Sequence, residues 1–162
     1  MELPRYNVLG VEINALNLAR ATREIIAGSQ TPKQGYVLVT PDGMPMVWLG
    51  PKGTERVYGP DLMLSVCDLG RAAGLRHFFL GGDSGVADQL KRQLLQRWPD
   101  LQIVGTFTPP FRELTAPELG DLQARLYTAA PHVIWVGLGT PKQERFMARY
   151  HRELDCGLMV GV

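Results

Sequence analysis

Cysteine is nearly missing from this chain: Cys67 and Cys156 are the only two in 162 residues, and no CxxC pair or regular framework joins them. Neither a disulfide scaffold nor a zinc module is indicated, and both read as reduced core thiols of a cytoplasmic protein. Histidine is also sparse. His77, His132 and His151 fall at two expected strand starts and a helix end, and none pairs with another at ligand spacing, so no metal site is expected. Net charge is almost absent, since 17 Lys+Arg offset 16 Asp+Glu to leave +1. That excludes a general grip on nucleic acid, which needs an excess of basic side chains to displace counterions along a phosphate backbone. No apolar run approaches the roughly 18 residues of a spanning helix, and Met1-Glu2-Leu3-Pro4-Arg5 lacks the basic and apolar regions of a signal peptide. The chain is expected to be soluble, or at most held at a membrane surface. Neither a Gly-x-Ser-x-Gly elbow, a Walker A loop nor an internal repeat occurs.

What is present is a hydrophobic content of 45%, in short apolar runs that alternate with segments of helical period. That alternation predicts an α/β protein, a mostly parallel sheet with helices on both faces, formed by a single domain over residues 1–162. Tyr6 to Val11 reads as a first strand, Asn14 as a cap, and Leu18 to Ile26 as a helix ended by Gly28. Gly35 to Thr40 is a second expected strand. Pro41-Asp42-Gly43 is a turn, and Met44 to Leu49 a short buried helix with Pro45 in its first turn. Helical spacing runs from Pro60 to Ala73, closed by Gly74, and a buried strand covers His77 to Leu80. A helix from Val86 follows and stops at Pro99. Leu101 to Thr106 is a strand, Thr115 and Glu118 have capping-box spacing for a helix to about Ala130, and Val133 to Val136 is the most apolar strand. Thr140, Pro141 and Gln143 have the order of cap, first helical position and third position, and Leu158 to Val162 is a last strand.

The strand, Gly137-Leu138-Gly139 turn and helix start can hold a phosphate on backbone N–H groups, or the glycines merely permit a tight turn. Gly81-Gly82-Asp83-Ser84-Gly85 has the same two readings. It lacks the third glycine of a dinucleotide fingerprint, and no acidic residue follows as a ribose binder, which disfavours a nicotinamide enzyme. Asp42, just past a strand, can serve as a general base or simply close a turn. Arg56 can fork onto a diphosphate or pair at the surface, and Asp61 suits a helix cap.

Five segments occur together in one known order: Thr40-Pro41-Asp42-Gly43-Met44-Pro45, Glu55 to Met63, Phe79-Leu80-Gly81-Gly82, Val104 to Phe111, and Val136-Gly137-Leu138-Gly139-Thr140-Pro141-Lys142-Gln143-Glu144. In this arrangement the chain resembles the WecG/TagA/CpsF glycosyltransferase family over nearly its whole length. The resemblance implies a Rossmann-like fold and an inverting, metal-independent transfer without a cofactor. An N-acetylmannosamine-type sugar would pass from a UDP donor to a polyprenyl-diphosphate-linked acceptor in bacterial surface-polysaccharide or teichoic-acid synthesis. It implies Asp42 as the base and Arg56 at the diphosphate, with Thr40, Gly43, Gly81, Gly82, Gly137, Gly139, Thr140, Pro141 and Gln143 as substrate-binding positions. The cytoplasmic face of the membrane is the implied location, and the reading is compatible with a homo-oligomer.

Family members carry a further strand end and helix before the Pro-Asp-Gly strand, and a basic C-terminal appendage beyond the position of Val162. The sequence lacks both, and the stretch Trp48 to Thr54 is short. A chain ending at Val162 is therefore expected to fold, to bind UDP weakly and to transfer poorly. A nucleotide-sugar-binding module without turnover is the alternative, and an NAD-dependent oxidoreductase the more distant one.

Overall fold

In the computed structural model, which describes residues 3–30, 38–154 and 157–162, the chain opens with a hairpin. β1 (Arg5–Val8) and β2 (Val11–Asn14) pair antiparallel, with Tyr6 opposite Ile13. The single strand expected over Tyr6 to Val11 is thus broken at Leu9-Gly10, whose φ values of +51 and +88 suit a two-residue hairpin turn. Leucine hid the turn, because a residue with a branched side chain rarely accepts positive φ.

α1 (Leu18–Ser29) is capped by Asn17, whose Oδ1 accepts from the Arg20 N–H at 2.9 Å, and it runs past Gly28 to Gln30 as C-cap. The expected cap, Asn14, has another use. Its side chain accepts from the Val39 N–H at 3.0 Å and its own N–H donates to the Val39 carbonyl at 3.0 Å. Of the strand expected over Gly35 to Thr40, residues 35–37 lie outside the described residues, and Leu38 to Thr40 are irregular. Asn14 therefore fixes the approach to Asp42.

α2 (Met44–Leu49) has Pro45 in its first turn as expected. It is not buried, however, and Trp48 is 74% exposed. Six apolar residues span too few turns to define one inward stripe, so composition alone misjudged their burial. α3 (Gly59–Gly70) buries Leu62, Met63, Val66 and Cys67, and a 3-10 turn over Arg71–Ala73 ends at Gly74 with φ +63. Burial pushes the Cys67 thiol up to about 12, as for an inert core cysteine. Cys156 lies outside the described residues.

The chain divides into two compact units, Met1–Val66 and Cys67–Val162. The first is cored by Val8, Ile13, Leu16, Ala21, Ile25, Val57, Leu62 and Val66. In the second, β3 (Arg76–Gly81), α4 (Val86–Arg97), β4 (Gln102–Phe107), α5 (Ala116–Ala129), β5 (Val133–Gly137), α6 (Lys142–Tyr150) and β6 (Leu158–Gly161) alternate as the sequence pattern predicts. Their strands form a parallel sheet in the order β4-β3-β5-β6.

Period-2 alternation sends the side chains of one strand to opposite faces. Phe78, Leu80, Ile134 and Val136 pack with Leu122 and Leu126 of α5 and with Tyr150 of α6. Thr106, in register with Phe79 on the other face, donates to Asp88 of α4 at 2.7 Å. Helices thus cover both faces, as expected of an α/β chain. The Thr115 and Glu118 spacing also holds: the Glu118 carboxylate accepts from the Thr115 N–H at 2.8 Å and from its hydroxyl at 2.9 Å, at the start of α5. The Arg112 guanidinium beside it, followed by these Thr115 bonds, brings Glu118 down to about 2.

Candidate functional site

Asp42 and Arg56 lie fourteen residues apart in sequence, and one backbone bond draws their segments together while a second folds the Asp42 turn. The Val57 N–H donates to the Pro41 carbonyl at 3.0 Å, and the Asp42 N–H turns back onto the Thr40 carbonyl at 3.0 Å. Val57 is buried, which anchors the segment and leaves its neighbour Arg56 outward. The Arg56 Nε then donates to the Asp42 main-chain carbonyl at 2.6 Å, and one terminal nitrogen stands 3.6 Å from the Asp42 carboxylate. The carboxylate is 58% exposed and the guanidinium side chain 49% exposed. An acid open to an incoming hydroxyl and a cation open to an anion therefore share one surface of the first unit. Thr40 and Gly43 flank Asp42, Thr40 through the turn and Gly43 as the N-cap position of α2.

In the second unit the glycine turns meet at the carboxyl ends of β3 and β5. These two strands are neighbours, but the chain leaves β3 through α4 to β4 on one side and leaves β5 through α6 to β6 on the other. That divergence is a topological switch point, where open α/β sheets form their ligand crevices. Glycine is required there. A Cβ built at Gly81, φ +136, would fall 2.1 Å from the Gly137 carbonyl oxygen, and the Gly82 N–H donates to that same oxygen at 3.0 Å. Gly82 and Gly139 also have positive φ, at +71 and +74. The meeting point of these two strand ends is consequently bare backbone.

The start of α6 departs from the expectation in one respect. Pro141 occupies the N-cap position without a side-chain cap, after a cis Thr140-Pro141 bond. The Thr140 hydroxyl donates to Glu144 at 3.0 Å rather than capping the helix, since the helix begins one residue later than the spacing of Thr140 and Pro141 suggests. Gln143 turns inward. Its amide nitrogen would lie 3.0 Å from a Cβ at Gly161 of β6, and its Oε1 is buried without a hydrogen-bond partner among the described residues.

The structure thus groups Thr40, Asp42, Gly43 and Arg56 in the first unit, and Gly81, Gly82, Gly137, Gly139, Thr140, Pro141 and Gln143 in the second. Sequence reasoning passed over Tyr58, whose ring lies 4.7 Å from the Arg56 guanidinium carbon, and Gly161, which makes room for Gln143. An aromatic two residues from a candidate arginine was the available signal for Tyr58. For Gly161 there was none, because the contact joins residues of separate elements.

Among the described residues no group of three or more His, Cys, Asp and Glu stands where it could hold a metal ion. Among them too, no helix is long and apolar enough to cross a membrane. Residues 33–162 match the glycosyl transferase WecG/TagA/CpsF family. The chain is also similar to an N-acetylglucosaminyldiphosphoundecaprenol N-acetyl-beta-D-mannosaminyltransferase of Bacillus spizizenii, with 24% identity over 142 residues, 82% of this chain and 53% of the relative. It therefore spans about half the length of that relative.

Proposed function

The chain belongs to the WecG/TagA/CpsF family of glycosyl transferases, and on that premise we propose that it moves an N-acetylmannosamine-type sugar from a UDP donor to a polyprenyl-diphosphate-linked acceptor sugar. The observation that carries this reading is the Asp42–Arg56 pairing, an open carboxylate and an open guanidinium held at one turn. In the proposed step Asp42 takes the proton of the acceptor hydroxyl as its oxygen attacks the anomeric carbon from the face opposite UDP. The new carbon–oxygen bond forms as the bond to the diphosphate breaks, with inversion, and UDP leaves with the electron pair. A positioned base contributes about 10²- to 10⁴-fold. Arg56 offsets the charge growing on the diphosphate, so activity is expected to survive chelation of divalent metal. The side-chain-free backbone of Gly81, Gly82 and Gly137 at the switch point of the sheet supports a nucleotide or sugar subsite.

A lipid-linked acceptor would bring the protein to the cytoplasmic membrane surface. The test uses the full chain with a radiolabelled UDP-linked N-acetylmannosamine donor and a lipid-linked acceptor. Stoichiometric sugar transfer and UDP release are expected, with and without EDTA. UDP binding without transfer would leave a binding module instead, and hydride transfer to a nicotinamide would overturn the reading outright.

A further inference from the structure

A half-exposed arginine samples many rotamers, and only one set of them presents its fork to a ligand. In the first unit three contacts narrow that choice for Arg56. Its Nε is used by the Asp42 carbonyl at 2.6 Å, and one terminal nitrogen stands 3.6 Å from the Asp42 carboxylate, longer than the roughly 2.7–2.9 Å of a full charge-assisted bond. The third contact is the Tyr58 ring, 4.7 Å from the guanidinium carbon and within the range of a cation–π interaction. The other terminal nitrogen has no partner among the described residues, so its hydrogens are open to an anion. Tyr58 is itself fixed, because its carbonyl accepts from the Leu62 N–H at 2.9 Å as α3 begins, and Val57 before it is buried. It is 43% exposed, so the ring serves the core little.

We infer that Tyr58 is a positioning residue for Arg56, its ring holding the guanidinium beside Asp42 with one edge turned to a bound diphosphate. The inference rests on the donor reading above and adds to it a residue which that reading does not use. The ring acts through Arg56 and touches no reacting atom. Its removal would free the guanidinium to turn away, or to close fully onto the Asp42 carboxylate.

The experiment is a double-mutant cycle on the full-length protein, with the Kd for UDP measured by calorimetry. Tyr58→Leu is expected to weaken UDP binding about three- to fivefold, the size of an exposed cation–π contact. Tyr58→Phe, which keeps the ring, should bind within twofold of wild type. In an Arg56→Ala background Tyr58→Leu should cost nothing further. Equal losses from Tyr58→Leu in both backgrounds, or a loss in Tyr58→Phe as large as in Tyr58→Leu, would overturn the inference while leaving the donor reading intact. A wild-type protein that does not bind UDP would remove the donor reading, and the inference with it. Thermal unfolding of each variant accompanies the cycle, and Tyr58→Met replaces Tyr58→Leu if the latter does not fold.

Discussion

The two units differ in how they hold their candidate residues. In the first, Asp42 and Arg56 sit on irregular segments, joined by one main-chain bond and the Arg56 side chain and open to solvent, beside an α2 that buries no residue. In the second, the glycine turns cap strands whose centres, Phe78 to Leu80 and Val133 to Val136, are at most 3% exposed. Segments of the first kind move and adapt, because few buried contacts oppose local opening, whereas a sheet interior opens only near the global unfolding free energy. On the proposed reading the labour divides accordingly, with the chemistry on adaptable segments and the ligand cradle on a rigid sheet.

If that contrast is sound, changes in the second unit should register mainly in stability and changes near Asp42 mainly in activity. Gly81→Ala is the severest test. The added methyl meets the Gly137 carbonyl at 2.1 Å with φ at +136, so a loss on the order of 4 kcal/mol or failure to fold is expected, measured by urea unfolding. A stable Gly81→Ala protein would show that the close approach of Gly81 to Gly137 yields. Next comes Asp42→Asn, which keeps the turn but cannot accept a proton. Transfer should fall about 10²- to 10⁴-fold with unfolding midpoint and UDP affinity little changed. Near-normal turnover would remove Asp42 from the chemistry.

The third test concerns His77, wholly buried on β3. Its Nδ1 accepts from the Trp135 indole N–H at 3.1 Å, and burial, followed by nearby His132, brings it down to about 4 from an ordinary 6.5. Between those values the unfolded chain binds a proton that the folded chain refuses. The stabilising contribution is therefore complete above pH 6.5 and is lost as pH falls toward 4, by on the order of 2–3 kcal/mol. His77→Asn should flatten that slope in acid unfolding curves, and an unchanged slope would place the acid sensitivity elsewhere. Of these four changes the smallest effect is expected from Arg56→Ala: about tenfold weaker UDP binding and slower transfer, at unchanged stability. Unaltered affinity and rate would leave Arg56 as a surface residue.

Much of the second unit was legible because each of its signals is local. The Thr115 and Glu118 spacing, the apolar run Val133 to Val136 and the glycines at strand ends all act within a few residues of themselves. The first unit was less so. Leu9 conceals a hairpin turn, Asn14 fixes Val39 instead of capping α1, and Met44 to Leu49 look like core but lie outside. The site follows the same rule. Asp42 and Arg56 could each be named from residue type and place, yet their pairing depends on a backbone bond between Val57 and Pro41, which no local pattern encodes. The Gln143 contact with Gly161 likewise joins two elements that only the tertiary fold brings together.

The tryptophans give this division an optical signature. Trp135 is buried with its indole N–H bound to an imidazole, Trp98 is buried under two arginine side chains, and Trp48 stands largely in water. Emission from the first two lies toward the blue and shifts to the red when the second unit unfolds, while Trp48 already emits as a hydrated indole. Intrinsic fluorescence therefore follows the sheet and is nearly blind to the segments around Asp42. Replacing both Trp98 and Trp48 with phenylalanine would leave Trp135 to register proton uptake at its imidazole partner through a fall in quantum yield.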